Sequence, residues 1–227
     1  MLLAQAILSG LGLQGEHLRL IEAGDVAALD AALRAAPAQT VARAASFTVQ
    51  ADKRATLELA IEHLLDQSGA APESIPLPSA GTGLFGTLNV DPDRCTMCLS
   101  CVSACPEAAL ADNPDKLQLR FIEKNCVQCG LCASTCPEDA ITLEPRLWLA
   151  DAGKARKQLR VLNEVEPYRC IRCSKPFGTL KAIELMMAKL GAHPMFQGAG
   201  ADRLRMCGDC RVIDIHTNPN EVRITEL

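Results

Sequence analysis

The stretch that decides the fold is C-V-Q-C-G-L-C-A-S-T-C-P (126–137), in which four cysteines occupy eleven positions and a proline follows. An upstream stretch, C-T-M-C-L-S-C-V-S-A-C-P (95–106), has the same spacing, and each of its cysteines lies 31 positions before its counterpart. The proline and the glutamate that follow the cysteines match as well. The chain therefore contains an internal duplication that coincides with its cysteines. We call residues 95–106 run 1 and residues 126–137 run 2.

The spacing of the runs is typical of cysteines that hold an iron–sulfur cluster. Three cysteines at two-residue intervals on a turning loop can point their thiolates into one concavity, where they take three corners of a cubane. We expect the fourth cysteine to begin a helix, and the proline to keep the chain from folding back. Where two such runs occur together, the fourth cysteine of each ligates the cluster of the other run. The predicted ligands are Cys95, Cys98, Cys101 and Cys136 for one [4Fe-4S] cluster, and Cys126, Cys129, Cys132 and Cys105 for the second.

Other interpretations of the runs fit less well. A zinc or disulfide framework is disfavoured, because structural zinc sites take four ligands in pairs. A structural or redox-sensing role of the clusters, in an interaction or maturation factor, stays open. Because a cluster accepts and releases single electrons and performs no bond chemistry alone, the runs favour electron transfer, with no catalytic activity expected of the chain by itself.

Residues 85–145 resemble the bacterial two-cluster ferredoxin domain, and the segment CVQCGLCASTCPEDAI (126–141) is a highly specific form of its motif. The resemblance implies a module with pseudo-twofold symmetry, whose clusters work at low potential and lie close enough for fast electron hopping. The chain is also similar to the iron–sulfur proteins that accompany molybdenum-dependent formate dehydrogenases. That similarity implies a partner oxidoreductase of the formate dehydrogenase or hydrogenase-like kind.

A second group of cysteines comes in two separate C-x2-C pairs, with 33 residues between them. Paired knuckles of this kind are the usual layout of a tetrahedral four-thiolate site, and zinc is the default metal. A third iron–sulfur or rubredoxin-like iron site stays open, and so do free or redox-active thiols. Phe177 is expected to pack behind the first pair, and His193 and His216 are the plausible alternative ligands. The predicted ligands are Cys170, Cys173, Cys207 and Cys210.

Composition and charge limit the classes of partner and the cellular compartments that fit the chain. The formal net charge of −4 argues against nucleic acid as the main partner, because phosphate binding requires a basic surface. No apolar run approaches the roughly 18 residues of a membrane span. The stretch MLLAQAILSGLGLQGEH (1–17) lacks a basic start and predicts an amphipathic helix rather than a signal peptide. We therefore expect a cytoplasmic protein, in which thiols more often hold metals than form disulfides. Export together with a partner that carries a signal stays open.

The predicted fold class is α+β, with a two-cluster ferredoxin-like module between two flanking regions. Residues 1–68 contain no cysteine and predict a helical or partial α/β docking region. Residues 69–83, rich in proline, glycine and serine, predict a linker. Residues 84–145 predict the ferredoxin domain, and residues 146–227 predict a helix followed by the metal-binding pairs.

The periodicity of apolar residues, together with residues that start or end helices, predicts individual helices and strands within these regions. The expected elements are a short strand (18–23), a helix capped by Asp25 and ended by Pro37, a helix opened by Asp52, strands over 84–91 and 117–122, helices over 147–165 and 180–191, and a closing strand over 221–226.

Two further features of the flanks bear on partners. The segment AILSGLGLQGEHLRLIEA (6–23) is similar to the tail of a hydrogenase delta-subunit-like domain, a small α/β module of electron-bifurcating complexes. The cysteines that precede this segment in that family are missing here, so the likeness implies only the back half of such a module. A helical docking region is the alternative. The segment KARKQLR (154–160) predicts a basic helical face that is either solvated or docks an acidic redox partner.

Overall fold

The structure, a computed structural model, describes residues 1–15, 17–35, 41–70, 72–78 and 83–219. It contains both helices and strands, in agreement with the α+β class. The helices are α1 (Leu2–Gly10), α2 (Val26–Leu33), α3 (Lys53–Ser68), α4 (Ser100–Ser103), α5 (Leu131–Thr135), α6 (Leu180–Leu190) and α7 (Gly208–Thr217). The strands are β1 (Ser74–Pro76), β2 (Gly86–Val90), β3 (Leu110–Ala111), β4 (Gln118–Ile122), β5 (Ile141–Trp148), β6 (Leu159–Glu164), β7 (Pro167–Arg169) and β8 (Pro176–Thr179).

The central module is held together by strands that pair crosswise between the two runs. β2, which precedes run 1, pairs antiparallel with β5, which follows run 2. β4, which precedes run 2, pairs antiparallel with β3, which follows run 1. The predicted strands over 84–91 and 117–122 are thus confirmed. Because each pairing joins the flank of one run to the flank of the other, the two cysteine loops face a common core. Its buried residues include Leu88, Leu110, Leu119, Phe121 and Ile141.

The helix expected over residues 147–165 is wrong. β5 continues to Trp148, and β6 pairs antiparallel with β4, with Leu119 opposite Asn163. β3 contains only two residues, and β4 has a second edge that β6 covers. Pairing along that edge satisfies the backbone of β6, and this tertiary context outweighs the helix propensity of its Leu, Arg and Glu residues.

Two of the N-terminal helices, α1 and α3, form a second core against the end of β5. β1 pairs with β5, and Ile75 lies opposite Leu147. The region predicted as a linker therefore contributes a strand, and Ile75 is 4% exposed because α1 and α3 cover it. The buried residues of this second core are Ile7, Leu11, Ile61, Ile75, Leu77, Phe85, Leu147 and Leu149.

The short strand expected over residues 18–23 is also wrong. These residues have no regular secondary structure, and Leu20 is 69% exposed. A strand needs a neighbour for its backbone N–H and C=O groups, and none of the strands in the described part of the chain pairs with this segment. The strand part of the helix–turn–strand likeness is therefore missing from the structure.

Both predicted aspartate caps are confirmed. The backbone N–H of Ala28 donates to Asp25 at 2.7 Å at the start of α2, and the N–H of Arg54 donates to Asp52 at 3.0 Å at the start of α3. These contacts satisfy donors that the first helical turn leaves unpaired. α2 ends at Leu33, and both Pro37 and the expected strand over 221–226 lie outside the described residues.

The basic helical face expected over residues 154–160 is wrong in its main point, because its only helical part is a 3-10 turn (Ala155–Lys157) and two of its cations are paired with α3. Arg156 donates to Glu58 of α3 at 2.8 Å, and the two side chains are 2% and 5% exposed. Lys157 contacts Glu62 of α3 at 2.5 Å. A buried guanidinium requires such a partner, since an unpaired buried charge is costly. This segment therefore joins α3 to the central module instead of presenting a free basic surface.

The C-terminal region is a small unit around the four remaining cysteines. β7 and β8 form a hairpin, and α6 follows directly, which confirms the helix predicted over 180–191. A 3-10 helix (Gly198–Arg205) leads to α7, which begins immediately after Cys207. In the part of the chain that the structure describes, no helix has the length and apolar character needed to cross a membrane.

Candidate metal centres

The first centre, site 1, is a small pocket beside run 1. Three of the cysteines that line it come from run 1, and the fourth, Cys136, comes from run 2. The remaining walls include the apolar side chains of Leu119 and Ile141. The cysteines at site 1 are Cys95, Cys98, Cys101 and Cys136.

The second centre, site 2, is a small pocket beside run 2. It repeats the arrangement of site 1, because three cysteines come from run 2 and Cys105 comes from run 1. Leu88, Leu110 and Leu143 contribute apolar walls. The structure thus brings together the two quartets that the sequence predicts. The cysteines at site 2 are Cys105, Cys126, Cys129 and Cys132.

The backbone of each run turns through the left-handed region at matching positions. Met97 and Leu99 have φ angles of 57° and 60°, and their counterparts 31 residues later, Gln128 and Gly130, have φ angles of 54° and 80°. Left-handed residues in a tight loop turn successive backbone N–H groups toward one concavity, which favours negatively charged ligands. Only run 2 has glycine at the second position, so Leu99 bears a steric cost that Gly130 avoids.

The fourth cysteine of each run follows a short helix, so the expectation that it begins one is wrong. α4 ends at Ser103, two positions before Cys105, and α5 ends at Thr135, directly before Cys136. The proline after each cysteine lacks the backbone N–H that a continuing helix would need, and the chain reverses there.

The reversal aims one backbone N–H at each fourth sulfur. The N–H of Ala109 donates to the Sγ of Cys105 at 3.3 Å, and the N–H of Ala140 donates to the Sγ of Cys136 at 3.3 Å. The donors lie 31 positions apart, as do the acceptors. Such contacts stabilise sulfur in its charged form.

The electrostatics of both cavities fit a group that brings positive charge. Burial, followed by the charges of the neighbouring Cys95 and Cys132, raises the pKa of the Cys101 thiol to about 12. Burial, followed by the charge of Cys126, raises the pKa of Cys132 to about 11. Four thiolates cannot share such an apolar cavity without a cation, and iron supplies one. An all-sulfur donor set in an apolar pocket fits an iron–sulfur cluster.

The two cavities differ in their polar contacts. At site 2, the Nε2 of Gln128 donates to the Sγ of Cys126 at 3.3 Å and to the carbonyl of Thr87 at 2.9 Å. Run 1 has Met97 at the matching position, which cannot donate. Sequence analysis missed Gln128, although comparison of the two runs position by position would have found the difference. Hydrogen bonds to the sulfurs are one factor that sets cluster potential, so this difference distinguishes the sites.

The third centre is the four-cysteine set of the C-terminal region. The sulfur atoms of Cys170, Cys173, Cys207 and Cys210 all lie within 4.8 Å of one another, and the Sγ atoms of Cys173 and Cys207 are 3.7 Å apart. A regular tetrahedron with metal–sulfur bonds of about 2.3 Å has edges of about 3.8 Å. Among the residues that the structure describes, it is the only set of three or more His, Cys, Asp or Glu ligands close enough to hold one ion.

The alternative histidine ligands are not brought to this set. The ring of His193 accepts the N–H of Met195 at 3.3 Å, and neither His193 nor His216 belongs to the set. Phe177 packs against the cysteines, as predicted, together with the buried Met206. The coordinating group is therefore sulfur alone.

Backbone groups around the set favour an ionised sulfur. Burial opposes ionisation of Cys170, but hydrogen bonds from the backbone N–H groups of Cys207, Cys173 and Arg172 outweigh it and lower the pKa to about 6. The hydrogen bond with Cys173, and then burial, raises the pKa of Cys210. The four sulfurs together thus fit a divalent cation better than four neutral thiols.

Comparison with known families supports iron–sulfur binding by the two cysteine runs. Residues 87–137 match the family model of the 4Fe-4S dicluster domain. The match includes both runs up to the proline of run 2, so this segment is ferredoxin-like and indicates iron–sulfur electron transfer. A search of curated proteins finds no match to the chain.

Proposed function

We propose that the chain is an electron-transfer iron–sulfur protein or subunit, which relays single electrons through two [4Fe-4S] clusters to or from a partner oxidoreductase. The observation that carries this proposal is the crosswise composition of sites 1 and 2. Each cavity is lined by three cysteines of one run and the fourth cysteine of the other. A duplicated motif that exchanges one ligand in this way is suited to two clusters at a fixed separation.

The residues at each site have three roles, which are to hold the cluster, to stabilise the ligand sulfurs and to exclude water. When bound, a cluster accepts and releases one electron at a time. The cysteine sulfurs hold it, the N–H groups of Ala109 and Ala140 stabilise the sulfurs of the exchanged ligands, and the apolar walls exclude water. Proposed ligands are Cys95, Cys98, Cys101 and Cys136 at site 1, and Cys105, Cys126, Cys129 and Cys132 at site 2.

The placement of the sites supports a relay. α4 and α5 contact each other, and Cys101 and Cys132 lie in the same buried core. The charge on Cys132 raises the pKa of Cys101, as expected for neighbouring sites. Cys98 and Cys129 are exposed, so each site also reaches the surface. An electron can therefore enter at one exposed cysteine, cross the shared core and leave at the other.

We further propose a structural zinc ion at Cys170, Cys173, Cys207 and Cys210. The short sulfur–sulfur distances support a single ion, because in a cluster each thiolate binds a different iron and the sulfurs must lie farther apart. A single rubredoxin-like iron would have the same geometry, and metal analysis distinguishes the two. Zinc would join the β7–β8 hairpin to α7, in a unit with few apolar residues of its own.

The proposed partner is an oxidoreductase that exchanges single electrons. The resemblances of the sequence favour a formate dehydrogenase or a hydrogenase-like complex. We also propose a cytoplasmic location, because a reducing compartment keeps twelve thiols available to metals.

Anaerobic purification with metal analysis and EPR tests the proposal. We expect about eight irons, about eight sulfides and about one zinc per chain, with reversible reduction of both clusters. Reduced protein should then pass electrons to an oxidoreductase acceptor. Clusters that cannot be cycled without unfolding the protein would instead favour a structural or redox-sensing role, and iron at the third centre would exclude zinc there.

A further inference from the structure

The two flanking regions each place a cation on the backbone of one run, at matching positions. Arg54 of α3 donates to the carbonyl of Lys124 at 2.6 Å and to that of Cys126 at 3.1 Å, at the start of run 2. Lys181 of α6 donates to the carbonyl of Asp93 at the start of run 1. Asp93 and Lys124 are 31 positions apart, so the two contacts are equivalent under the duplication. The regions that supply these cations are unrelated in sequence.

The two cations differ in their surroundings. Arg54 also donates to the carbonyl of Leu84, and its guanidinium lies 4.9 Å from the centre of the Phe85 ring, which is 3% exposed. Its contacts with the Lys124 and Cys126 carbonyls are partly buried. The contacts of Lys181 lie at the surface. Arg54 is therefore the more desolvated charge and the more firmly held one.

A held cation beside a cluster favours reduction, because reduction adds one negative charge to it. The attraction is strong where water is excluded and weak where solvent and salt screen it. Arg54 should therefore raise the potential of the cluster at site 2 more than Lys181 raises that of site 1. The carboxylates that line the two pockets are matched, because Glu107 lines site 2 and its counterpart Glu138 lines site 1. The charge of Glu58 also acts on Arg54, but its carboxylate is paired with the buried Arg156.

We propose that Arg54 is a positioning residue that clamps the loop of run 2 and makes the site 2 cluster the easier of the two to reduce. Electrons that enter the chain then collect at site 2, and its exposed Cys129 gives them a route to the surface. This inference rests on the proposed function, because it requires that both clusters cycle. Gln128, at the position that matches Met97 of run 1, acts in the same direction through its hydrogen bond to the sulfur of Cys126 at 3.3 Å. At site 1, the sulfur of Cys98 has a longer contact of 3.4 Å with the hydroxyl of Ser100.

The test is an EPR-monitored redox titration of the full chain, purified anaerobically, as wild type, Arg54→Gln, Arg54→Lys and Lys181→Gln. We expect R54Q to make reduction of one cluster about tenfold less favourable, which for a one-electron couple is about 59 mV. R54K should keep most of the wild-type potential, and K181Q should shift the other cluster less. The site 2 signal is identified as the one that changes in Cys129→Ser.

Iron content, measured on every variant, separates tuning from loss of the cluster. A shift in R54Q at full iron content, confined to the site 2 signal, supports the inference. Unchanged potentials in R54Q at full iron content overturn it, as does an equal shift of both clusters or a larger shift in K181Q. Wild-type clusters that cannot be reduced reversibly would instead overturn the proposed function, so the two failures are distinguishable.

Discussion

The cysteine runs and the C-terminal knuckles use the same C-x2-C unit, yet the structure gives them different geometry. In the runs, a third cysteine follows at the same interval, and three cysteines of one run line a small pocket with one cysteine of the other. In the knuckles, the two pairs come together, and four sulfurs lie within 4.8 Å of one another. The interval between two cysteines therefore does not fix how four sulfurs are arranged. The packing of the rest of the chain fixes it.

The largest effects are expected from the removal of one ligand from each region. Cys129→Ala should lose the cluster at site 2 and weaken the whole central module, because the two runs exchange a ligand and share one core. Iron and sulfide counts, with the thermal stability of the purified protein, measure the effect. Retention of about eight irons per chain would contradict the ligand assignment.

Removal of a knuckle ligand should have a large but local effect. Cys207→Ser should release the metal of the third centre and lower the hydrogen-exchange protection of α7, because metal binding stabilises a small unit that has little core of its own. The iron content should stay at the wild-type value. Loss of iron from Cys207→Ser, rather than zinc, would show that the third centre holds iron.

An intermediate effect is expected from a methyl group at the edge of site 2. In Gly86→Ala the new Cβ would meet the side chain of Gln128 and lie 2.5 Å from the carbonyl of Glu144, so the β2–β5 pairing must shift. Overpacking of this kind costs about 1–3 kcal/mol, measured by chemical unfolding of the holoprotein.

The matched control for that substitution lies in the knuckle region. Gly208→Ala, at the start of α7, meets no atom within 4 Å, so its stability should be equal to the wild type or slightly higher. Equal losses in G86A and G208A would show that packing around the two regions is not as different as the structure indicates.

The smallest effect is expected from an ion pair on the surface of the knuckle. Lys175 contacts Asp209 at 2.9 Å, but both side chains are mostly exposed, at 62% and 73%. Water and salt screen such a pair, and Lys175→Ala should leave the melting temperature and the zinc content unchanged. A clear fall in zinc content would mean that the pair positions the cysteines.

The sequence predicted how the twelve cysteines are grouped into sites, because most ligands of a metal-binding loop lie close together in the chain. Three ligands of each run lie within seven positions, so spacing alone constrains them. The caps at Asp25 and Asp52 were predictable for the same reason, since a cap acts over three residues. Two features that depend on contacts between distant residues were not predictable from local sequence. The helix expected over 147–165 became strands because β4 and β1 lie beside it, and the basic segment 154–160 became an internal contact because α3 supplies its carboxylates.

By itself, the sequence determined the duplicated motif, the soft sulfur ligands and hence the class of cofactor that the central segment binds. These follow from local chemistry, in which residue type and spacing leave few alternatives. The motif also predicted that Cys136 and Cys105 are exchanged between the runs, and the tertiary structure brings them to sites 1 and 2 and brings the knuckle sulfurs close enough for one ion. Only the tertiary structure decided that Arg54 and Lys181 reach equivalent carbonyls from unrelated regions. The physical reason is that these contacts join residues far apart in the chain, and packing and strand pairing, rather than local propensity, bring such residues together.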